Sequence, residues 1–180
     1  MAERVLVAVD GTKASNMALE IACALADSYK ANLGLLCVIE PDNVSDDFIK
    51  GALIEGVLQK PSYHTWYHSA MGYIPDLGIE ERAQRADYVA QLSKYAAESI
   101  VAAAEAYSKK SAAKVVKTFV RSGNVADEIL AVAKENGVDV IVMGHDQRGR
   151  LEALIEGSVA EHVAREATCA CLVYCQPKQD

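Results

Sequence analysis

A carboxylate at Asp10, a glycine at Gly144 and a Gly157-Ser158 pair are the residues of this chain best suited to chemistry, and what they suit is the capture of a phosphate-bearing ligand. Val138-Asp139-Val140-Ile141-Val142-Met143-Gly144 is a run of branched apolar residues that stops at glycine, the pattern of a buried parallel strand breaking into a loop. Thirteen residues on, Gly157-Ser158-Val159 opens a helical pattern. Strand, loop and helix start in that order can turn backbone N–H groups towards a phosphate. A glycine at the strand exit lets a ligand reach the main chain with no side chain in the way. Arg4-Val5-Leu6-Val7-Ala8-Val9-Asp10-Gly11-Thr12 repeats the theme: an apolar strand ending in a carboxylate, then a turn with a helix-starting hydroxyl. Open α/β sheets bind ligands beyond the carboxyl ends of their strands, and Asp10 and Gly144 both belong to that edge.

Each of these residues also has a reading that needs no ligand. Asp10 can accept from an amino group or a ribose hydroxyl, or it can stabilise its own turn or cap the following helix. Ser158 with Glu161 three residues on forms a capping box, which satisfies the helix start by itself and competes with a phosphate for the same positive end. In the loop His145-Asp146-Gln147-Arg148-Gly149-Arg150, the two arginines can hold phosphate oxygens or simply face solvent. His64 and His68 stand one helical turn apart, but no nearby cysteine or acidic cluster completes a ligand set, so no metal site is expected. The sequence has no Gly-x-Ser-x-Gly elbow, Walker loop or zincin helix, and no nucleophile–base pair stands out.

The elements that must position these residues alternate. The patterning predicts strands over 5–10, 33–39, 114–121, 138–143 and 169–175, and helices over 14–29, 80–109, 125–136 and 158–167. Met17, Ile21 and Leu25 recur at four-residue spacing in the first helix, and Tyr88, Leu92, Tyr95, Ile100 and Tyr107 mark the amphipathic second. Gly137 is expected to close the third helix as a left-handed cap. This rhythm implies right-handed crossovers and a single Rossmann-like, doubly wound α/β domain over residues 1–180, with a five-stranded parallel sheet and helices on both faces. About forty residues, 41–79, exceed what the connection after the second strand needs and form an insertion. Within it Tyr63, Trp66, Tyr67 and Tyr73 cluster, able to cover the pocket, pack beneath their own loop or dock a protein partner.

With the Asp10-Gly11-Thr12 start and the Met143-Gly144 strand end, the chain resembles the universal stress protein family. The family's nucleotide-binding branch continues from that glycine with two residues, a second glycine, nine residues and Gly-Ser. The frame holds here through Gly144, Gly157 and Ser158, but the second glycine is Gln147. The resemblance implies a stress-response regulator that binds an adenine nucleotide, ATP or AMP, without evident catalysis, with Mg2+ only if ATP is bound. It implies a site of Asp10, Val38, Met143, Gly144, Gln147, Arg148, Gly149, Gly157, Ser158 and Val159, with Val38 against the adenine. It further implies a homodimer joined through the C-terminal strand, whose apolar Cys171-Leu172-Val173-Tyr174 edge has reason to be covered. Two alternatives stand beside it: a dimeric interaction module that binds no nucleotide because of Gln147, and a slow ATP hydrolase.

Composition narrows the partners. One hundred and eighty residues suit one α/β domain, and a formal net charge of −7 argues against non-specific nucleic-acid binding, which needs a basic stripe. No apolar run reaches the length of a membrane span, and the N-terminus shows no secretion signal. Five cysteines, odd in number and mostly within apolar runs, read as buried reduced thiols in the cytoplasm.

Overall fold

Side chains on a strand alternate between faces, and in this chain both faces of every central strand are apolar, so the sheet builds a separate core on each side. The computed structural model describes residues 2–40, 79–111, 113–145 and 159–175. Along them run β1 (Arg4–Ala8), α1 (Lys13–Tyr29), β2 (Asn32–Ile39), α2 (Ile79–Lys110), β3 (Val115–Ser122), α3 (Val125–Glu135), β4 (Val140–His145), α4 (Val159–Glu166) and β5 (Ala170–Cys175). The strands form one all-parallel sheet in the order β3-β2-β1-β4-β5. Every element predicted within the described residues is present, with ends displaced by one or two residues. The expected insertion lies, save its last residue, outside the described residues.

The chain divides into two compact units, residues 1–39 with 97–180, and residues 40–96. The sheet, α1, α3, α4 and the last part of α2 belong to the first. Of the second, the described part is Glu40 and α2 up to residue 96.

On one face of the sheet, Val5, Val7, Val9, Leu33, Leu35, Cys37 and Val142 pack with α1 and the later turns of α2. On the other, Leu6, Leu36, Ile141 and Met143 meet Ile129, Val132 and Ala133 of α3 and Ala160 and Val163 of α4. The seam of α1 differs from the expected one. Ala14, Ala18, Ala22 and Ala26 are buried at four-residue spacing, whereas Met17 is 38% exposed and Ile21 and Leu25 sit at the margin of the core. Small side chains let the helix backbone lie close to the sheet, so the larger residues one turn-face away are pushed outward. In α2 too the small residues are the buried ones: Ala97, Val101 and Ala104 are buried while Tyr95 and Tyr107 are exposed.

Local chemistry sets the helix ends. The Thr12 side chain caps α1 by accepting from the Ser15 N–H, and Asn124 caps α3 by accepting from the Asp127 N–H. Gly137 closes α3 in the left-handed conformation as expected, its N–H donating to Lys134 O at 3.3 Å and that of Val138 to Ala133 O at 2.9 Å. Lys30 takes the same role after α1 with a φ of 55°, although it is not glycine. Among the described residues no helix is long and apolar enough to cross a membrane.

At the N-terminal edge of the sheet, Asp139 ties β1 to the strand that follows it in space. One carboxylate oxygen accepts from the Glu3 N–H at 2.7 Å and the Arg4 N–H at 3.0 Å. Those two bonds, Glu3's first, hold the Asp139 carboxyl below its ordinary range. A depressed folded-state value adds stability that is present above the unfolded value of about 4 and disappears as pH falls through the folded one. Asp139→Asn should therefore lower the urea midpoint at pH 7, and the gap from the wild type should close as pH is lowered below about 4. Equal midpoints at neutral pH would remove the clasp from the account of stability.

Candidate functional site

The strand order reverses direction between β1 and β4: from β1 the chain proceeds outward to β2 and β3, and from β4 outward to β5 on the other side. In open parallel sheets the crevice beyond the carboxyl ends of two such strands is left uncovered by the diverging connections. Asp10 leaves β1 there, and Gly144 and His145 end β4 there. The structure thus brings the two anchor residues read from the sequence to one edge, beside each other.

Asp10 is exposed, and its carboxylate is part of a tight turn. Oδ1 accepts from the Thr12 N–H at 2.9 Å and from the Thr12 hydroxyl at 2.7 Å. Gly11 between them has a φ of 81°, where any side chain is strained. The Asp10 N–H donates to Ser15 Oγ at 3.3 Å, and Ser15 Oγ donates in turn to Thr12 O at 3.1 Å. Of the readings open for Asp10, stabilisation of its own turn is therefore realised, while the helix cap falls to Thr12. Among the described residues the second oxygen, Oδ2, receives no hydrogen bond, and it belongs to an exposed residue.

Gly144 has a reason other than ligand access. It lies inside β4, opposite Tyr174, rather than at the strand exit, because β5 continues the pairing to His145 opposite Cys175. A Cβ at Gly144 would come within 2.5 Å of Ala14 O and Ser15 N, and closer still to the Ala14 carbonyl carbon. The first turn of α1 rests directly on this strand, backbone against backbone. Glycine is required by packing whether or not a ligand approaches.

Met143 and Val38 face the other side of the sheet. The Met143 side chain is 3% exposed within the α3–α4 core, so this position offers a ligand only its main chain. Val38 is half-buried and packs at the margin of that same core, near the carboxyl end of β2. Val159 is 41% exposed at the first position of α4. Gln147, Arg148, Gly149, Gly157 and Ser158 lie outside the described residues, as do His64 and His68.

Among the described residues no activated nucleophile emerges near Asp10. Burial pushes the Cys37 thiol up to about 11, with the Asp10 charge adding to the effect, so it stays protonated at neutral pH. The cysteines are less uniformly buried than expected: Cys23 and Cys37 are, Cys169 and Cys171 are half-buried against α4, and Cys175 at the end of the edge strand is exposed. Among the described residues no three His, Cys, Asp or Glu side chains gather to hold a metal. Thr12 and Ser15 complete the local network at Asp10. The Asp-Gly-Thr sequence marked a helix start, but it did not reveal that the Thr12 hydroxyl also binds the carboxylate.

Comparison with known proteins converges on one family. A model of the universal stress protein family matches residues 1–54 and 62–174. Universal stress protein YxiE of Bacillus subtilis (strain 168) is 27% identical over 173 residues, covering 96% of this chain and 99% of that protein. The crystal structure of a universal stress protein in complex with cAMP aligns with a TM-score of 0.61 at 19% identity, over 96% of each chain. A universal stress protein from Archaeoglobus fulgidus in complex with dAMP aligns with a TM-score of 0.52 at 17% identity, over 95% of this chain and 96% of that one. At such identities the structural likeness speaks for the fold.

The contact at Gly144 yields a test that involves no ligand. Gly144→Ala should destabilise the protein by about 3 kcal/mol or more, the upper end of overpacking costs, because the obstructing atoms are main chain and cannot rotate away. A loss below about 1 kcal/mol in denaturant unfolding would show that α1 can retreat from β4 at little cost.

Proposed function

The chain belongs to the universal stress protein family, and from that premise we propose that it is a stress-response regulator that binds an adenine nucleotide at the carboxyl edge between β1 and β4, without breaking it down. The observation that carries this reading is the exposed Asp10 carboxylate at the point where the strand order reverses, with one oxygen fixed by the turn and the other clear of donors among the described residues. A carboxylate oxygen held in place can accept from a base amino group or a ribose hydroxyl. Two structurally similar proteins, bound to cAMP and dAMP, lend support to an adenine ligand. The phosphate end would fall to Gln147, Arg148, Gly149, Gly157, Ser158 and Val159, the adenine end to Val38, with Mg2+ accompanying only ATP.

We further propose a cytoplasmic homodimer joined through β5. The five free cysteines fit a reducing compartment. The two sheet edges contrast: β3 carries Lys117 and Arg121, whereas β5, Ala170–Cys175, has no charged residue to discourage pairing. A second reading, a dimeric module without nucleotide, is favoured by the fact that Gly144 and Asp10 each have a structural role of their own and by Gln147 in the phosphate-loop frame.

Calorimetric titration with ATP, AMP and cAMP, together with sedimentation and a phosphate-release assay, separates these readings. The nucleotide reading expects binding by the wild type, a loss of about tenfold or more in Asp10→Ala, as for removal of a hydrogen bond to a charged group, and no phosphate release. Gln147→Gly should tighten ATP binding more than adenosine binding if glutamine impedes the phosphate loop. A dimer that binds none of the three would leave the nucleotide-free module, and steady phosphate release would make the protein a hydrolase.

A further inference from the structure

Resting on the nucleotide reading, we propose that Thr12 is a positioning residue of the site: its hydroxyl aims the Asp10 carboxylate, so that a ligand meets a single oriented oxygen, Oδ2. The Thr12 hydroxyl works in two directions. It accepts from the Ser15 N–H at 3.2 Å, which starts α1, and it donates to Asp10 Oδ1 at 2.7 Å. The Thr12 N–H donates to the same Oδ1 at 2.9 Å. Two donors converging on one oxygen, one of them a short O–H to a carboxylate, fix the rotation of the carboxyl plane. Thr12 is itself held in place as the cap of a helix whose Ala14 and Ser15 lie against Gly144.

The consequence is a constraint on the ligand. With Oδ1 committed to the turn, Asp10 presents one acceptor rather than a bidentate pair. It suits a single donor, such as an exocyclic amino group or one hydroxyl, and does not suit a vicinal diol gripping both oxygens. Without the Thr12 hydroxyl the carboxylate keeps its charge but regains rotation, and fixing it again on binding costs affinity.

The hydroxyl's two tasks can be separated experimentally. Affinity for adenosine, which lacks phosphates, and for ATP is measured calorimetrically in the wild type, Thr12→Val, Thr12→Ser, Asp10→Asn and the Asp10→Asn/Thr12→Val double variant, with thermal unfolding recorded for each. Asn124→Ala, which removes the cap of α3, controls for loss of a helix cap as such. Thr12→Val is expected to weaken both ligands about tenfold, Thr12→Ser to restore affinity to within about twofold of the wild type, and Asn124→Ala to leave it unchanged. In the Asp10→Asn background, Thr12→Val should cost much less than tenfold, because two residues acting as one unit are not additive. An unchanged affinity in Thr12→Val, a full tenfold loss persisting in the Asp10→Asn background, or an equal loss in Asn124→Ala would each overturn the proposal while leaving nucleotide binding standing. If Thr12→Val does not fold, the comparison of wild type with Thr12→Ser still decides: a loss approaching tenfold with the hydroxyl retained overturns the proposal. Absence of binding by the folded wild type overturns the nucleotide reading and this proposal with it.

Discussion

The contact on which the rest of the structure depends is the one between the first turn of α1 and β4 at Gly144. Main chain meets main chain there, with no room for a Cβ. This fixes the start of α1 relative to the sheet, and so fixes Thr12 and Ser15, through which Asp10 is held. The alanine seam of α1 serves the same contact: a helix that must touch a strand at residue 14 can run along the sheet only if positions 18, 22 and 26 are also small. The spacing of small residues is thus a consequence of the closeness of the backbone, and the candidate site inherits its geometry from that closeness.

The two cores divide the labour differently. On the α1–α2 side the helices contribute mostly alanines, facing valines and leucines of the sheet, and this side places the Asp10 turn. On the α3–α4 side Ile129, Val132 and Val163 join Ala126, Ala133 and Ala160 in packing on Leu6, Leu36, Ile141 and Met143. Met143 and Gly144, adjacent in sequence, therefore meet opposite demands: one fills space on the α3–α4 side, the other vacates it on the α1 side. On the outer strands the contrast is electrostatic. Lys117 lies over the Phe119 ring at 4.8 Å and reaches Asn136, while Arg121 binds Glu135, so the β3 edge is charged and partly tied to α3; β5 has no comparable device.

Strand and helix positions, the all-parallel sheet and the helices on both faces were legible in the sequence, because buried parallel strands read as unbroken apolar runs and the helices begin and end at recognisable caps. The α1 seam was not. Hydropathy favours Met17, Ile21 and Leu25 over alanine, and only the proximity of the sheet reveals that alanine is the residue at the contact. β4 was read as ending at Gly144 because glycine weakens a strand in isolation, whereas pairing with β5 carries it to His145. Of the candidate site, the meeting of Asp10 and Gly144 at one edge was legible from chain order. The side on which Met143 and Val38 point, towards α3 and α4, is set by how the strands sit in the sheet, which one strand's pattern does not specify.

Ligand and turn are often treated as rival explanations of an aspartate at a strand end. Here the carboxylate has an oxygen for each. The turn takes Oδ1, and in doing so removes the rotational freedom that a solvent-facing aspartate would otherwise surrender on binding. The same reasoning applies to Gly144, where a residue demanded by helix packing also keeps the carboxyl edge of β4 free of a side chain on the α1 face. A structural role at these positions is what would make them dependable parts of a site, since the turn and the helix contact hold them in place before any ligand arrives. The Asp10-Gly11-Thr12 turn and Gly144 are therefore first of all folding features, and under the proposed function the site would take its order from them.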